Sequence, residues 1–171
     1  MSDQPHELAN SAFTEPKQQA EEPLDEIDRS IVRILQSDGR IPNTEIARKL
    51  NVSETTVRKR VARLLSNGLI KIVAVPTPKA VGMTLSAIIG IAVVLPQLRH
   101  ISGELKLQPE VRYIGLSTGR YDIIIEAFFT DHQHFLNFIT NKIGELQGVT
   151  AVETSMILQV DKFSYEWELM E

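Results

Sequence analysis

The chain has 171 residues, no cysteine and a formal net charge of −4. The length suits one ordinary domain or two small ones, and without cysteine, disulfides, thiolate zinc sites and cysteine nucleophiles are all excluded. The opening MSDQPHELAN has no basic, apolar leader, and the longest apolar run, Ala87 to Leu95, falls far below the roughly 20 residues needed to span a bilayer. A cytoplasmic protein without a membrane partner is expected.

The net charge hides an alternation. Residues 1–23 carry one Lys against five Asp/Glu, residues 24–75 carry ten Lys/Arg against six, and residues 76–171 carry seven against eleven. A basic module inside an acidic chain directs attention to a polyanion contact, because phosphate neutralisation supplies much of the affinity for nucleic acid.

Residues 1–23, rich in Gln, Glu and Pro, contain too little apolar material to offset the entropy of ordering and read as a disordered acidic tail. From Leu24, the residues Ile27, Ile31, Ile34 and Leu35 recur at helical spacing, and Gly39 is expected to stop this first helix. Asn43 or Thr44 is expected to cap a short second helix with Ile46, Ala47 and Leu50 inward, and Asn51 takes the turn after it. Ser53 caps a third helix running to about Ser66, with Val57, Val61, Leu64 and Leu65 inward and Asn67-Gly68 as its stop. Leu69 to Val75 reads as a short strand or wing. Pro76-Thr77-Pro78 breaks it, so a hinge is placed at residues 76–82 between a basic helical domain (24–75) and a second domain (83–171).

In the second domain the signals alternate. An apolar strand at Ala87–Leu95 precedes a helix from about Gln97 to Lys106, and strands at 111–117 and 122–129 are joined by Thr118-Gly119-Arg120-Tyr121. After Asp131 as cap, Phe135, Phe138, Ile139 and Ile143 share a helix face, and beyond Gly148 the residues Val152, Thr154, Met156, Leu158 and Val160 alternate along a strand. The order is β-α-β-β-α-β, so the expected class is α+β: a winged helix-turn-helix followed by a ferredoxin-like domain. The last stretch, Phe163, Tyr165, Trp167 and Leu169 between polar residues, reads as an edge strand with one apolar face, suited to pairing across a dimer.

At about 100° per residue, Thr55, Lys59 and Arg63 fall opposite the inward face of the third helix, with Thr56 and Arg58 flanking them. Hydroxyls and long cations are what base edges and phosphates require. Alone, such a helix is better explained as a solvated face. Its place as the last of three short capped helices points instead to the helix that enters the major groove of double-stranded DNA. Asn43, Thr44, Ser53, Thr55, Thr56, Arg58, Lys59 and Arg63 are the candidate DNA contacts.

The segment LDEIDRSIVRILQSDGRIPNTEIARKLNVSETTVRKRVARLLSNGLI resembles the DNA-binding half of the leucine-responsive/asparagine-regulator (Lrp/AsnC) family, and PEVRYIGLSTGRYDIIIEAF followed by GVTAVETSMILQVDK is similar to that family's amino-acid-sensing domain. The resemblance covers nearly everything after Leu24. It implies a transcription regulator, a homodimer assembling to tetramers or octamers, and a small effector, an amino acid, held between subunits near the loop joining the second and third strands. Here that loop is Ser117, Thr118, Gly119, Arg120, Tyr121 and Asp122. In that setting Asp122 would receive an α-ammonium, backbone N–H groups around Gly119 an α-carboxylate, and Thr154 and Ser155 would complete the polar ring. The competing explanation is a plain tight turn, with Gly119 at positive φ and Asp122 bonded to the backbone.

No cofactor is implied and no metal site is expected. His132 and His134 are two apart and share no helix face, and His6 and His100 lack evident partners. Gly115 to Gly119 has the wrong spacing for a dinucleotide loop. The rival enzyme reading is a siroheme-decarboxylase-like protein, for which only Arg99 and His100 offer themselves, and a third is an assembly module that does not bind DNA. Neither uses the basic helix, so a non-enzymatic regulator is the reading adopted.

Overall fold

The computed structural model describes residues 24–162 together with Ser164 and Trp167. The acidic tail lies outside these residues, as do Phe163, Tyr165 and Leu169 of the expected last strand. Contacts divide the described chain into a helical unit ending at Ala74 and a sheet unit from Val75 to Asp161.

Three helices build the first unit: α1 (Glu26–Ser37), α2 (Asn43–Leu50) and α3 (Glu54–Ser66). Helix α1 begins with a reciprocal capping box, in which Asp25 accepts from the Asp28 N–H and Asp28 accepts from that of Asp25. It ends one residue before the expected position, with extended Asp38 rather than Gly39 breaking the helix. Helix α2 departs from the expected cap. Pro42 precedes it in extended conformation, its carbonyl accepts from Glu45 and Ile46, and Asn43 and Thr44 are the first two helical residues. Asn51, with φ 53°, turns the chain into α3, where Ser53 caps as expected by accepting from Thr56 N–H at 3.1 Å. Ile31, Val32, Ile46, Ala47, Val57 and Leu64 are buried together, so each helix contributes its apolar stripe to one core.

No strand forms at Leu69–Val75. Leu69 and Ile70 pack on the helical core, while Ile72, Val73 and Val75 are exposed and lack a ladder partner among the described residues. A strand sequence without a neighbouring strand leaves its backbone to water. Thr77 then caps a single 3₁₀ turn, Pro78–Val81, closed by Gly82 at φ 75°.

The sheet unit comprises β1 (Leu85–Val93), α4 (Leu98–Lys106), β2 (Val111–Leu116), β3 (Ile123–Phe129), α5 (His132–Asn137) and β4 (Val149–Ile157). The strands are antiparallel in the order β2-β3-β1-β4, the arrangement of a ferredoxin-like fold. Odd-numbered residues of β1 and β3 (Ala87, Ile89, Ile91, Val93; Ile123, Ile125, Ala127, Phe129) form one buried face with Ile101 and Leu105 of α4 and with Phe138 and Ile143. The last two lie five apart in Phe138–Ile143, a π-helical continuation of α5. The wider turn places residues i and i+5 on one side, which an α-helix would separate by about 140°. Strand β4 stops at Ile157, so Leu158 and Val160, expected within it, lie exposed beyond its end.

Candidate nucleic-acid and effector sites

Helix α3 presents three chemically distinct sides. Val57 and Leu64 face the core. Thr55, Arg58 and Lys59 are exposed, and among the described residues Arg58 and Lys59 have no ion-pair partner. On the third side Arg60 and Arg63 turn toward the start of α1. Arg60 Nη1 donates to Asp25 Oδ2 at 2.5 Å and to Asp28 Oδ1 at 3.0 Å, and Arg63 Nη2 donates to Asp28 Oδ2. Asp28 is fully buried, and each of its carboxylate oxygens is bonded by a guanidinium, the pairing a buried carboxylate needs. The Asp28 N–H, and then the Arg60 guanidinium, hold the Asp25 carboxyl below its ordinary range, and the two carboxylates in turn raise Arg60.

Arg63 is therefore engaged with α1, where the helical wheel alone would place it on the outward face. Ser53 and Thr56 bond each other, Oγ to Oγ1 at 2.8 Å, at the exposed start of α3. In the first turn of α2, Thr44 is exposed and Asn43 half-buried. Asp25, Thr56, Lys59, Arg60 and Arg63 line a shallow groove. The reading of single residues missed Asp25, Asp28 and Arg60. A signal was present: Asp25-x-x-Asp28 before an apolar run is a capping box, and Asp28 precedes Ile31 and Val32 by three and four residues, on a face that goes inward.

In the sheet unit the β2–β3 connection is a tight turn with Gly119 at φ 112°. Asp122 Oδ2 accepts from Val93 N–H at 2.8 Å, where the β1–β4 register shifts, so one of its oxygens serves the backbone. The Ser117 N–H donates to the Asp122 carbonyl at 2.9 Å. Tyr121 lies on the sheet face away from the helices, its ring so close over Gly90 that a β-carbon there would come within 2.5 Å of it. Its hydroxyl donates to Glu153, and Arg120 Nη2 reaches the same carboxylate at 2.8 Å, with the guanidinium 5.2 Å from the Tyr121 ring centre. Desolvation, and then the Glu153 hydrogen bond, raise the Tyr121 phenol above its ordinary range.

Thr154 and Ser155, expected to complete one polar ring, are split by the pleat. Thr154 pairs with Ile89 on the helix-covered face and Ser155 with Ile88 on the other, alongside Tyr121 and Glu153. Thr118, Gly119 and Arg120 are exposed at the turn. Among the described residues no group of three or more His, Asp or Glu side chains is placed to hold a metal ion. His134 has a partner that sequence did not reveal: its Nε2 lies 2.9 Å from Glu110 Oε1. No helix among the described residues is long and apolar enough to cross a membrane.

Three short helices, the third with an exposed basic side, followed by a four-stranded α+β unit bearing a polar turn, define a two-part transcription regulator: a helix-turn-helix joined to a ligand-binding domain. The AsnC-type helix-turn-helix domain is matched over residues 24–65 and the Lrp/AsnC ligand binding domain over residues 86–166. An uncharacterized HTH-type transcriptional regulator of Pyrococcus abyssi is 41% identical over 143 residues, covering 83% of this chain and 90% of that protein. The HTH-type transcriptional regulator LrpA of Pyrococcus horikoshii is 39% identical, covering 80% and 97%. Among solved structures, a transcriptional regulator from Neisseria meningitidis in complex with L-methionine superposes with a TM-score of 0.80 at 26% identity, covering 85% and 97%; AsnC of E. coli gives 0.78 at 25%, covering 82% and 96%. The chain belongs to the Lrp/AsnC family of transcription regulators.

Proposed function

We propose that this regulator reads double-stranded DNA with the exposed side of α3. Arg58 and Lys59 supply base-edge or phosphate contacts, Thr55 adds a hydroxyl, and Ser53, Thr56, Asn43 and Thr44 meet the backbone from the starts of α3 and α2. Arg63 acts on this surface through its pairing with Asp28. The observation that carries the reading is the pair of cations, Arg58 and Lys59, without an ion-pair partner among the described residues, beside Thr55 on a capped helix whose other two sides are occupied.

The effector in this reading is an amino acid, supported by the L-methionine complex of the Neisseria relative. It binds beside Ser117, Thr118, Gly119, Arg120, Tyr121 and Asp122 with Ser155 on the same sheet face, and Thr154, on the opposite face, takes no part. That sheet face also carries Ile88, Ile124, Phe128 and Ile157, all half-buried or exposed, which favours a homodimer formed there and assembling to tetramers or octamers. Paired α3 helices then meet half-sites on successive turns of DNA, and ligand shifts that spacing only by preferring one assembly. The reading includes no catalysis, since Arg99 and His100 both lie exposed on α4, and it places the protein in the cytoplasm.

The test is selection of bound sequences from a random DNA pool, repeated with a panel of amino acids. An enriched, roughly palindromic site whose affinity shifts with one amino acid supports the reading. No enrichment would sink it, and enrichment indifferent to every amino acid would remove the effector half.

A further inference from the structure

Within the reading of α3 as the DNA-contacting helix, we infer that Arg60 is a backbone-phosphate ligand held in reserve by Asp25, and that Asp25 thereby sets how strongly the protein discriminates against non-specific DNA. Arg60 lines the α1–α3 groove with Lys59 and Thr56 beside it, and its contact with the half-exposed Asp25 lies at the groove's open side. An ammonium, a guanidinium and a hydroxyl converging on one groove are the donors a phosphate oxygen needs. The anion occupying that groove is the Asp25 carboxylate.

The four charges of the network are not equivalent. Asp28 is fully buried and keeps Arg63 as a partner whatever Arg60 does. The Asp25 side chain is 52% exposed, and that of Arg60 26%. Asp25 has a second function, since its Oδ1 accepts from the Asp28 N–H at 2.8 Å, so release of Arg60 does not undo the helix cap. Two carboxylates and two guanidiniums cancel, so of the cations at this groove only the Lys59 ammonium is offered uncompensated to an approaching duplex. Exchange of the Asp25 oxygen for a phosphate oxygen requires the duplex to seat closely enough to displace it. A correctly seated operator achieves that, while loosely held DNA meets an exposed carboxylate at the rim and is repelled by it. The depressed Asp25 carboxyl keeps that negative charge in place throughout the neutral range.

Asp25→Asn tests this, because Asn caps a helix as well as Asp does while carrying no charge. Binding of the full-length protein to a random-sequence duplex and to its selected operator is measured across a salt series. The expected result is non-specific binding tightened by about fivefold to tenfold at low salt, with a log–log salt slope steeper by about one. Operator affinity changes less, so the specificity ratio falls. Asp25→Asn combined with Arg60→Gln returns the slope to its starting value. A general charge effect would appear equally in Glu26→Gln, which neutralises the adjacent residue, paired with Arg29 and Arg33 rather than Arg60. An equal gain there, or wild-type slope and affinity in an Asp25→Asn protein with an unchanged thermal midpoint, overturns the inference. Failure of the underlying reading shows separately: Lys59→Ala would then leave DNA binding of the otherwise wild-type protein untouched.

Discussion

The two units solve the same problem, fixing a functional surface, by opposite means. In the helical unit, α3 is held against α1 by a buried carboxylate and two guanidiniums contributed by residues more than thirty positions apart, laid over a core of six buried apolar side chains. In the sheet unit, register does this work: β1 sits between two antiparallel partners, and its odd residues are sealed under α4 and the Phe138–Ile143 turns. A three-helix core of this size buries limited apolar area, so the orientation of its third helix rests on ion pairing. A sheet with strands on both sides of β1 needs no such device. The unit that must meet a polyanion is thus also the one whose internal cohesion depends on charge.

Asp28→Ala is expected to break this contrast most severely. It removes the buried carboxylate that Arg60 and Arg63 share, leaving Arg60 with Asp25 alone, and costs about 3–5 kcal/mol, which hydrogen exchange should localise to α1–α3 while the sheet amides remain protected. The counterpart is Ile89→Ala, which should cost about 2–5 kcal/mol through lost burial and a cavity, weaken protection in the sheet unit, and leave salt dependence of stability unchanged. Similar salt dependence in the two variants would contradict the division drawn here.

A smaller effect separates the two explanations for Asp122. Asp122→Ala leaves the Val93 N–H without its partner and should cost about 1–3 kcal/mol even with no effector present, as read by urea denaturation. A cost appearing only when an amino acid is bound would assign Asp122 wholly to the ligand. Lys59→Ala against Arg63→Ala sharpens the helical side. The lysine variant should lower the salt slope of DNA binding by about one at unchanged stability, whereas the arginine variant should lower stability first.

The smallest effect is at acid pH. Backbone hydrogen bonds, from Asp28 to Asp25 and from His134 to Asp131, hold both carboxyls below their unfolded values. Their contribution is present above the ordinary carboxyl range and is lost as pH falls through the folded-state values, because the unfolded chain then binds the extra protons. Asp131→Asn should therefore flatten the acid limb of a pH–stability profile without moving the neutral plateau.

Much of this was readable before any coordinates. The α3 cap at Ser53, the stop at Asn67-Gly68 and the strand at residues 122–129 are local consequences of side-chain chemistry, and local chemistry is what a sequence displays. The β-α-β-β-α-β order followed, because antiparallel strands and short connections leave few ways to cover one apolar face. Other features needed neighbours. Leu69–Val75 has strand residues but no strand beside it. A helical wheel gives Arg63 a direction outward but cannot show that Asp25 and Asp28 wait on that side. Thr154 and Ser155 are adjacent in sequence and separated by the thickness of a sheet. The sequence by itself determined the elements, their order and the chemistry each could offer. Only the tertiary structure decided which charges are paired with one another and which remain exposed, because pairing depends on distances between residues far apart in the chain, and only packing sets those.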